Sequence, residues 1–195
     1  PVSGVSKVFA PRERTTASGP LRVLSLSRLQ RWKGIHDLVE AAGLAAQEIG
    51  AARLSLTVAG GSVMADGGYE QSLVSRAGEL GIEADFPRHV SDVAGLLAAH
   101  DVVVVASEIP EPFGQVVPQA LAAALPVIAT AHGGPAAVLA DSEAGRLVPP
   151  SDPAAMAAAL VSLAEDPGSW NRASAAASRL AQQYTDQSTV ERWES

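Results

Sequence analysis

Short apolar segments alternate with amphipathic segments along most of the 195-residue chain. The apolar segments end at glycine or polar turns, as β-strands do, whereas the amphipathic segments carry apolar residues at helical spacing. The predicted strands cover residues 21–27, 53–59, 85–86, 101–106, 126–130 and 145–148. The predicted helices cover residues 34–48, 69–80, 92–99, 114–124, 134–140, 154–165 and 168–184. This alternation predicts an α/β fold with a Rossmann-like, doubly wound parallel sheet.

The same pattern divides the chain into three segments. Residues 1–20 are rich in Pro, Gly, Ser and Arg and show no periodicity, so we expect a lead-in or linker there. Residues 21–165 carry the alternation and form the predicted ligand-binding domain, and residues 166–195 form C-terminal helices. Because ligands of doubly wound sheets bind at the carboxyl ends of the strands, the candidate chemistry belongs in the turns that follow the strands.

Composition narrows the class of protein. Hydrophobic residues make up 47% of the chain and aromatic residues 4%, so Ala, Val and Leu must fill most of the core. The formal net charge of -7 argues against a general nucleic-acid-binding protein, which would present a basic face. The absence of cysteine excludes disulfides and thiolate metal sites. No apolar run is long enough to span a membrane, so we expect a cytoplasmic protein, with peripheral attachment to the inner membrane surface left open.

One segment carries most of the chemical information: residues 111–121 read EPFGQVVPQAL. A helix is predicted to open near Gly114, and eight residues of helix rise about 12 Å and bring the last side chain back to within roughly 80° of the first. If Glu111 lies at or just before the first helical turn, Glu111 and Gln119 therefore lie at opposite ends of one groove wall. Backbone N–H groups at the start of that helix, near Phe113 and Gly114, would attract phosphate. The arrangement fits a ligand with hydroxyl groups at both ends and a diphosphate between them, which is the shape of a nucleotide-sugar.

Two cations follow the first predicted strand. Arg28 and Lys33 lie five positions apart in a turn. There Arg can bind two oxygens of a diphosphate at once, and Lys can add a compact positive charge. A pair of solvated surface cations is the alternative interpretation, and the segment around Glu111 makes that alternative less favoured.

These segments resemble motifs of one enzyme family. Residues 28–34, RLQRWKG, resemble an Arg-Leu-x3-Lys-Gly motif, and residues 111–119 resemble a Glu-x7-Glu motif with Gln at its second position. Residues 1–11 resemble the stretch that crosses between the two domains of the same enzymes. The family is the large family 4 group of retaining GT-B glycosyltransferases. Through Pro150 the chain resembles their C-terminal, donor-binding half.

The resemblance implies a function for a longer protein. That protein would transfer a hexosyl group from a nucleoside-diphosphate sugar to an acceptor, with the anomeric configuration retained. The nucleotide-sugar would be a substrate, and no cofactor is expected. An N-terminal acceptor-binding domain would be the partner of this chain, and the C-terminal helices would return toward it. Without that domain, we expect the chain alone to be inactive.

The resemblance also implies roles for individual residues. Arg28 and Lys33 would hold the diphosphate and stabilise negative charge on the leaving group, and Glu111 would contact the sugar. Gln119 would bind the ribose through its amide. The residues implied to contact the donor are Arg28, Lys33, Gly60, Arg88, Glu111, Phe113, Gly114, Gln115 and Gln119.

No metal is expected at the donor site. The chain has no Asp-x-Asp motif, and His36, His89 and His100 show no metal-ligand spacing. We expect His132 to be a turn residue rather than a catalytic base. Charge on the leaving diphosphate would then be stabilised by the two cations and by the start of the helix.

Departures from the family pattern keep two alternatives open. Gln119 replaces a carboxylate, and Ala137 replaces the Glu that usually follows a Gly-Gly-Pro-Ala stretch. Arg88 and Ala124 stand where Gly is usual. The main alternative is therefore a degenerate, non-catalytic nucleotide-binding or interaction domain of the same fold. A dinucleotide-dependent oxidoreductase is disfavoured, because no glycine follows the first predicted strand before Gly34.

Overall fold

The computed structural model describes residues 19–61, 67–112 and 114–184. Most of the predicted lead-in, the candidate site residue Phe113 and the end of the chain lie outside these residues. The strands are β1 (Leu21–Leu26), β2 (Leu54–Ala59), β3 (Glu83–Asp85), β4 (Val102–Val105), β5 (Val127–Thr130) and β6 (Gly145–Val148). The α-helices are α1 (Ile35–Ile49), α2 (Gly67–Glu79), α3 (Val93–Ala99), α4 (Val116–Ala122), α5 (Gly133–Leu139), α6 (Pro153–Glu165) and α7 (Pro167–Ala181).

The strands form one sheet in the spatial order β3-β2-β1-β4-β5-β6, and all neighbouring strands are parallel. This order confirms the predicted doubly wound sheet. β1 and β4 are neighbours in space but not in sequence, so the direction in which strands are added reverses between them. At such a reversal the loops that leave the two strands diverge and open a crevice at the carboxyl ends.

Helices cover both faces of the sheet. α1, α2 and α6 pack on one face, and α3, α4, α5 and α7 pack on the other. The sequence of the central strand β4 is continuously apolar because both of its faces are buried. Val102 and Val104 pack on the first face of the sheet, and Val103 and Val105 pack on the second. Among the described residues, no helix is long and apolar enough to cross a membrane.

The elements differ from the predicted ones mainly at two places. The strand predicted at 85–86 is β3, three residues that begin at Glu83. β3 is an edge strand with exposed acidic residues, so its hydrophobic pattern is weak. The helix predicted from residue 114 begins at Val116, because Gly114 adopts a φ of +48°, which lies outside the right-handed helical region.

The amino ends of β1 and β4 are tied to α7 through Asp101. The Arg22 guanidinium donates hydrogen bonds of 2.9 and 2.8 Å to the Asp101 carboxylate, and the Asp101 N–H donates to the Arg22 carbonyl at 2.8 Å. The Trp170 indole, which is 1% exposed, donates to the Asp101 carbonyl at 2.8 Å. A single buried side chain thus anchors the last long helix to the central strands.

We expect Trp170→Ala to lower the free energy of unfolding by about 3–5 kcal/mol, because it removes a large buried side chain. Trp170→Phe should cost clearly less, since it keeps most of the apolar contact and loses the hydrogen bond. Urea unfolding followed by far-UV circular dichroism measures both. Equal losses for the two variants would contradict the packing role given to the indole.

Candidate functional site

A cleft of about 150 Å³ lies at the carboxyl ends of β1 and β4, at the reversal of strand order. It is lined by residues 25–27 and Lys33 on the β1 side, and by residues 104–107, Glu111 and residues 114–116 on the β4 side. A larger cavity of about 270 Å³ lies at the amino ends of β5 and β6 and contains none of the predicted site residues. Ligands of parallel sheets bind at the carboxyl ends, so the smaller cleft is the candidate site.

An ion pair lies at one side of this cleft. Lys33 Nζ is 2.7 Å from Glu111 Oε2, and each side chain is 13% exposed. Ser107 Oγ donates a hydrogen bond to the other carboxylate oxygen, Glu111 Oε1. Because both side chains are largely withdrawn from water, their attraction is screened less than that of a surface pair. The structure thus places a cation and a carboxylate of the two predicted motifs side by side.

A close backbone approach brings Lys33 to this position. Gly34 adopts a φ of +63°, and a Cβ atom there would lie 2.0 Å from the carbonyl oxygen of Ala106. The Glu108 N–H donates to the Trp32 carbonyl at 2.8 Å, which joins the same two loops one step further along. Only glycine allows the turn after Lys33 to pack against the end of β4 in this way.

The loop after β4 is held from β5. The carbonyl oxygen of Ser107 accepts a hydrogen bond of 2.8 Å from Thr130 Oγ1. His132 Nε2 lies 2.7 Å from the same oxygen and donates to it when that nitrogen carries the proton. His132 therefore supports the loop that presents Glu111. Ser107 and Thr130 were missed in the sequence, although Ser107 comes directly after a buried strand, where site residues are expected.

The paired glycines at the start of α5 hold the backbone of Glu111. The Gly134 N–H donates to the Glu111 carbonyl at 2.7 Å. Gly133 has a φ of +67°, and a Cβ atom on it would lie 2.7 Å from both the nitrogen and the oxygen of Glu111. These two glycines are thus required for packing against the loop that carries the carboxylate.

Several other predicted residues lie beside the cleft rather than in its lining. Arg28 is exposed, and within the part of the chain that the structure describes it makes no ion pair. Arg88 is also exposed and donates to the Glu70 carboxylate at 2.9 Å. Gly60 has a φ of +130° and packs against the Ser27 carbonyl. Arg28, Gly60 and Arg88 lie in the loops that follow β1, β2 and β3, respectively.

The expectation that helical spacing places Glu111 and Gln119 along one groove wall is wrong. α4 begins at Val116, so Glu111 lies in the preceding loop and the two residues do not share one helix. Gln119 is half-buried on α4 and does not line the cleft. Gln115 and Gly114 do line it, so the start of α4 faces the cleft two residues later than predicted. Contacts with Lys33 and Ser107, not helical spacing, set the position of the Glu111 carboxylate.

A second polar cluster was also missed in the sequence. His36 Nε2 lies 3.1 Å from Glu108 Oε1 and 3.8 Å from Asp37 Oδ1. The pKa of the Asp37 carboxyl is raised, mainly because burial disfavours its charged form, with a further contribution from Glu108. Only folding brings position 108 beside positions 36 and 37, so spacing along the chain could not reveal the cluster.

Comparison with known sequences gives a family match over most of the chain. The family model described as "Glycosyl transferases group 1" matches residues 8–180. The D-inositol 3-phosphate glycosyltransferase of Arthrobacter sp. (strain FB24) is 33% identical over 186 residues, which cover 93% of this chain and 44% of that protein. The chain therefore spans less than half the length of this curated relative.

Solved structures show the same fold. The crystal structure of Anabaena HepE in complex with UDP-glucose has a TM-score of 0.81 and 27% identity, and the match covers 91% of this chain and 48% of that chain. The C-terminal domain of the glycosyl transferase group 1 family protein LpcC from Francisella tularensis has a TM-score of 0.77 and 24% identity. That match covers 91% of this chain and 96% of the LpcC domain.

We expect Gly34→Ala to destabilise the protein more than Gly81→Ala, which serves as a matched control. The two glycines have similar φ values, +63° and +67°, but a Cβ atom at Gly81 meets nothing within 4 Å. Gly81→Ala should cost about 1–2 kcal/mol of unfolding free energy for its left-handed backbone. Gly34→Ala should cost a further ~1–3 kcal/mol for the clash with Ala106. Equal costs in urea unfolding would show that the two loops can separate freely.

Proposed function

Because the chain belongs to the glycosyl transferases group 1 family and has the fold of a GT-B C-terminal domain, we propose that it binds the donor nucleotide-sugar of a retaining, family 4 glycosyltransferase. The observation that carries the proposal is the Lys33–Glu111 pair at the carboxyl ends of β1 and β4. One group of this pair suits a diphosphate and the other suits sugar hydroxyls.

In this function, Lys33 and Arg28 neutralise the diphosphate. Lys33 Nζ is already positioned by Glu111, and a bound phosphate would share that ammonium group with the carboxylate. Arg28 is exposed in the same loop, so its guanidinium is free to fold over the phosphates. Positive charge held at the leaving diphosphate lowers the barrier, because negative charge develops there as the glycosidic bond breaks.

Glu111 takes the sugar side of the same site. With Ser107 donating to one oxygen and Lys33 paired with the other, the carboxylate is held in one orientation. It would accept hydrogen bonds from sugar hydroxyls and stabilise positive charge near the anomeric carbon. Gln119 would bind the ribose hydroxyls through its amide, and Gly60, Arg88, Phe113, Gly114 and Gln115 would complete the donor site.

The comparisons support the donor class and the need for a second domain. Anabaena HepE, to which this chain is 27% identical, was solved with UDP-glucose. The Arthrobacter relative is more than twice as long as the matched region, which supports a separate acceptor-binding domain in the whole protein. We propose that the donor step uses no metal and no cofactor, since the two cations and the start of α4 supply the positive charge.

We expect calorimetric titration of this chain with UDP, GDP, ADP and NAD to show saturable binding of one nucleoside diphosphate, unchanged by EDTA. Lys33→Ala should weaken that binding by about 10- to 100-fold, the value of one hydrogen bond between charged groups. Arg53→Ala is the charge-matched control, because Arg53 is exposed, pairs with Glu165 and precedes the amino end of β2. NAD binding tighter than any diphosphate, or equal affinities for the Lys33 variant and the wild type, would contradict the proposal.

The second candidate function is nucleotide binding or partner binding without transfer, which Gln119 and Ala137 favour. If the donor site is intact, Gln119→Glu should change the diphosphate affinity by less than about tenfold, because it strengthens a single hydrogen bond. Gln47→Glu, on an exposed face of α1, is the control for added charge. The degenerate domain would be favoured if the wild-type chain bound no diphosphate at millimolar concentration, a binding free energy weaker than about -4 kcal/mol, while Gln119→Glu did bind one.

A further inference from the structure

We propose that His36, Asp37 and Glu108 form a binding site for a divalent transition-metal ion, with Zn²⁺ as the ion that fits these ligands best. The site is separate from the donor cleft, since none of the three residues lines that cleft. The inference therefore does not rest on the proposed glycosyl transfer.

The three side chains bring one ligand atom each into a small volume. One atom from each, the imidazole nitrogen or a carboxylate oxygen, lies within 4.8 Å of the other two. Among the described residues, this is the one group of three or more His, Asp and Glu side chains with that geometry. An imidazole nitrogen and carboxylate oxygens are ligands that Zn²⁺ binds at about 2.0–2.2 Å, which places neighbouring ligand atoms roughly 3–3.5 Å apart.

One carboxylate oxygen of each acid in the cluster lacks a hydrogen-bond partner among the described residues. Asp37 Oδ2 and Glu108 Oε1 are both buried and, among the described residues, have no hydrogen-bond partner. Glu108 Oε1 nevertheless lies 3.1 Å from His36 Nε2, yet the two atoms make no hydrogen bond. The imidazole nitrogen and this oxygen are thus close together without a hydrogen bond between them, which leaves both available as ligands of a shared cation.

Tyr69 orients the imidazole. Tyr69 is 2% exposed, and its hydroxyl oxygen lies 3.0 Å from His36 Nδ1. When Nδ1 donates to this oxygen, Nε2 carries a lone pair close to carboxylate oxygens of Glu108 and Asp37, and that arrangement is repulsive unless a cation lies among them. Metal-binding histidines are commonly held by such a contact on their other nitrogen.

The position of the cluster gives the ion a mechanical role. His36 and Asp37 belong to the first turn of α1, and Glu108 belongs to the loop that also carries Glu111. One ion bound by all three would cross-link these elements beside the contact between Glu108 N–H and the Trp32 carbonyl. The His36 side chain is 44% exposed, so an ion can reach the site from solvent, and a water molecule can complete the coordination.

The test is calorimetric titration of the EDTA-treated, dialysed chain with ZnCl₂, with MgCl₂ as a comparison. We expect one Zn²⁺ per chain and much weaker Mg²⁺ binding, because Mg²⁺ prefers oxygen ligands. His36→Gln and Glu108→Gln should each weaken Zn²⁺ binding at least about 100-fold, and Tyr69→Phe should weaken it about tenfold. His89→Gln, at an exposed position in the loop between β3 and α3, is the control and should bind as the wild type does.

Two further readouts do not depend on affinity. Zn²⁺ should raise the melting temperature of the wild type but not that of Glu108→Gln. Because Gln has nearly the same shape as Glu, this variant should fold and keep the test valid even if the His36 variant folds poorly. Co²⁺ bound in place of Zn²⁺ should give visible absorption bands that both variants lose. The proposal is overturned by the absence of saturable Zn²⁺ binding, or by unchanged binding in both His36→Gln and Glu108→Gln.

Discussion

The attraction between the Lys33 ammonium and the Glu111 carboxylate joins two loops that the topology of the sheet would otherwise separate. α1 leaves β1 toward one face and α4 leaves β4 toward the other, so the loops before these helices diverge. The ion pair brings Lys33 Nζ to 2.7 Å from Glu111 Oε2, and the cleft lies beside it. A cation and an anion are thereby held together at the point of the sheet where a doubly wound fold binds ligands.

Withdrawing these two charges from water is costly, and the surrounding structure offsets that cost. Ser107 donates to the carboxylate oxygen that Lys33 does not reach, and the Ser107 backbone is in turn held by the strand β5. Gly34 and Gly133 let backbone segments approach more closely than any side chain would permit. The junction of β1 and β4 is therefore a polar region beside a largely aliphatic core, and the His36 cluster belongs to the same junction.

The fold was predictable because the sequence patterns that mark its strands and helices involve residues close together in the chain. Buried parallel strands must be apolar on both faces, as in β4, and the helices carry their apolar positions at regular spacing. The start of α6 is local in the same sense: the Asp152 carboxylate accepts a hydrogen bond from Ala155 N–H, and Pro153 follows as the first helical residue. The start of α4 was not predictable in the same way, because the turn at Gly114 packs against Pro135, a residue from another element.

The sequence by itself determined the alternation of strands and helices, the family, and the residue types available at the carboxyl edge of the sheet. It could place Lys33 and Glu111 in the loops after β1 and β4, because the end of a strand is marked by the residues that follow it in the sequence. Only the tertiary structure decided which groups meet: Lys33 with Glu111 and Ser107, and Glu108 with His36. Periodicity acts between residues a few positions apart, whereas ion pairs and shared ligands depend on loops that become neighbours only when the sheet has assembled.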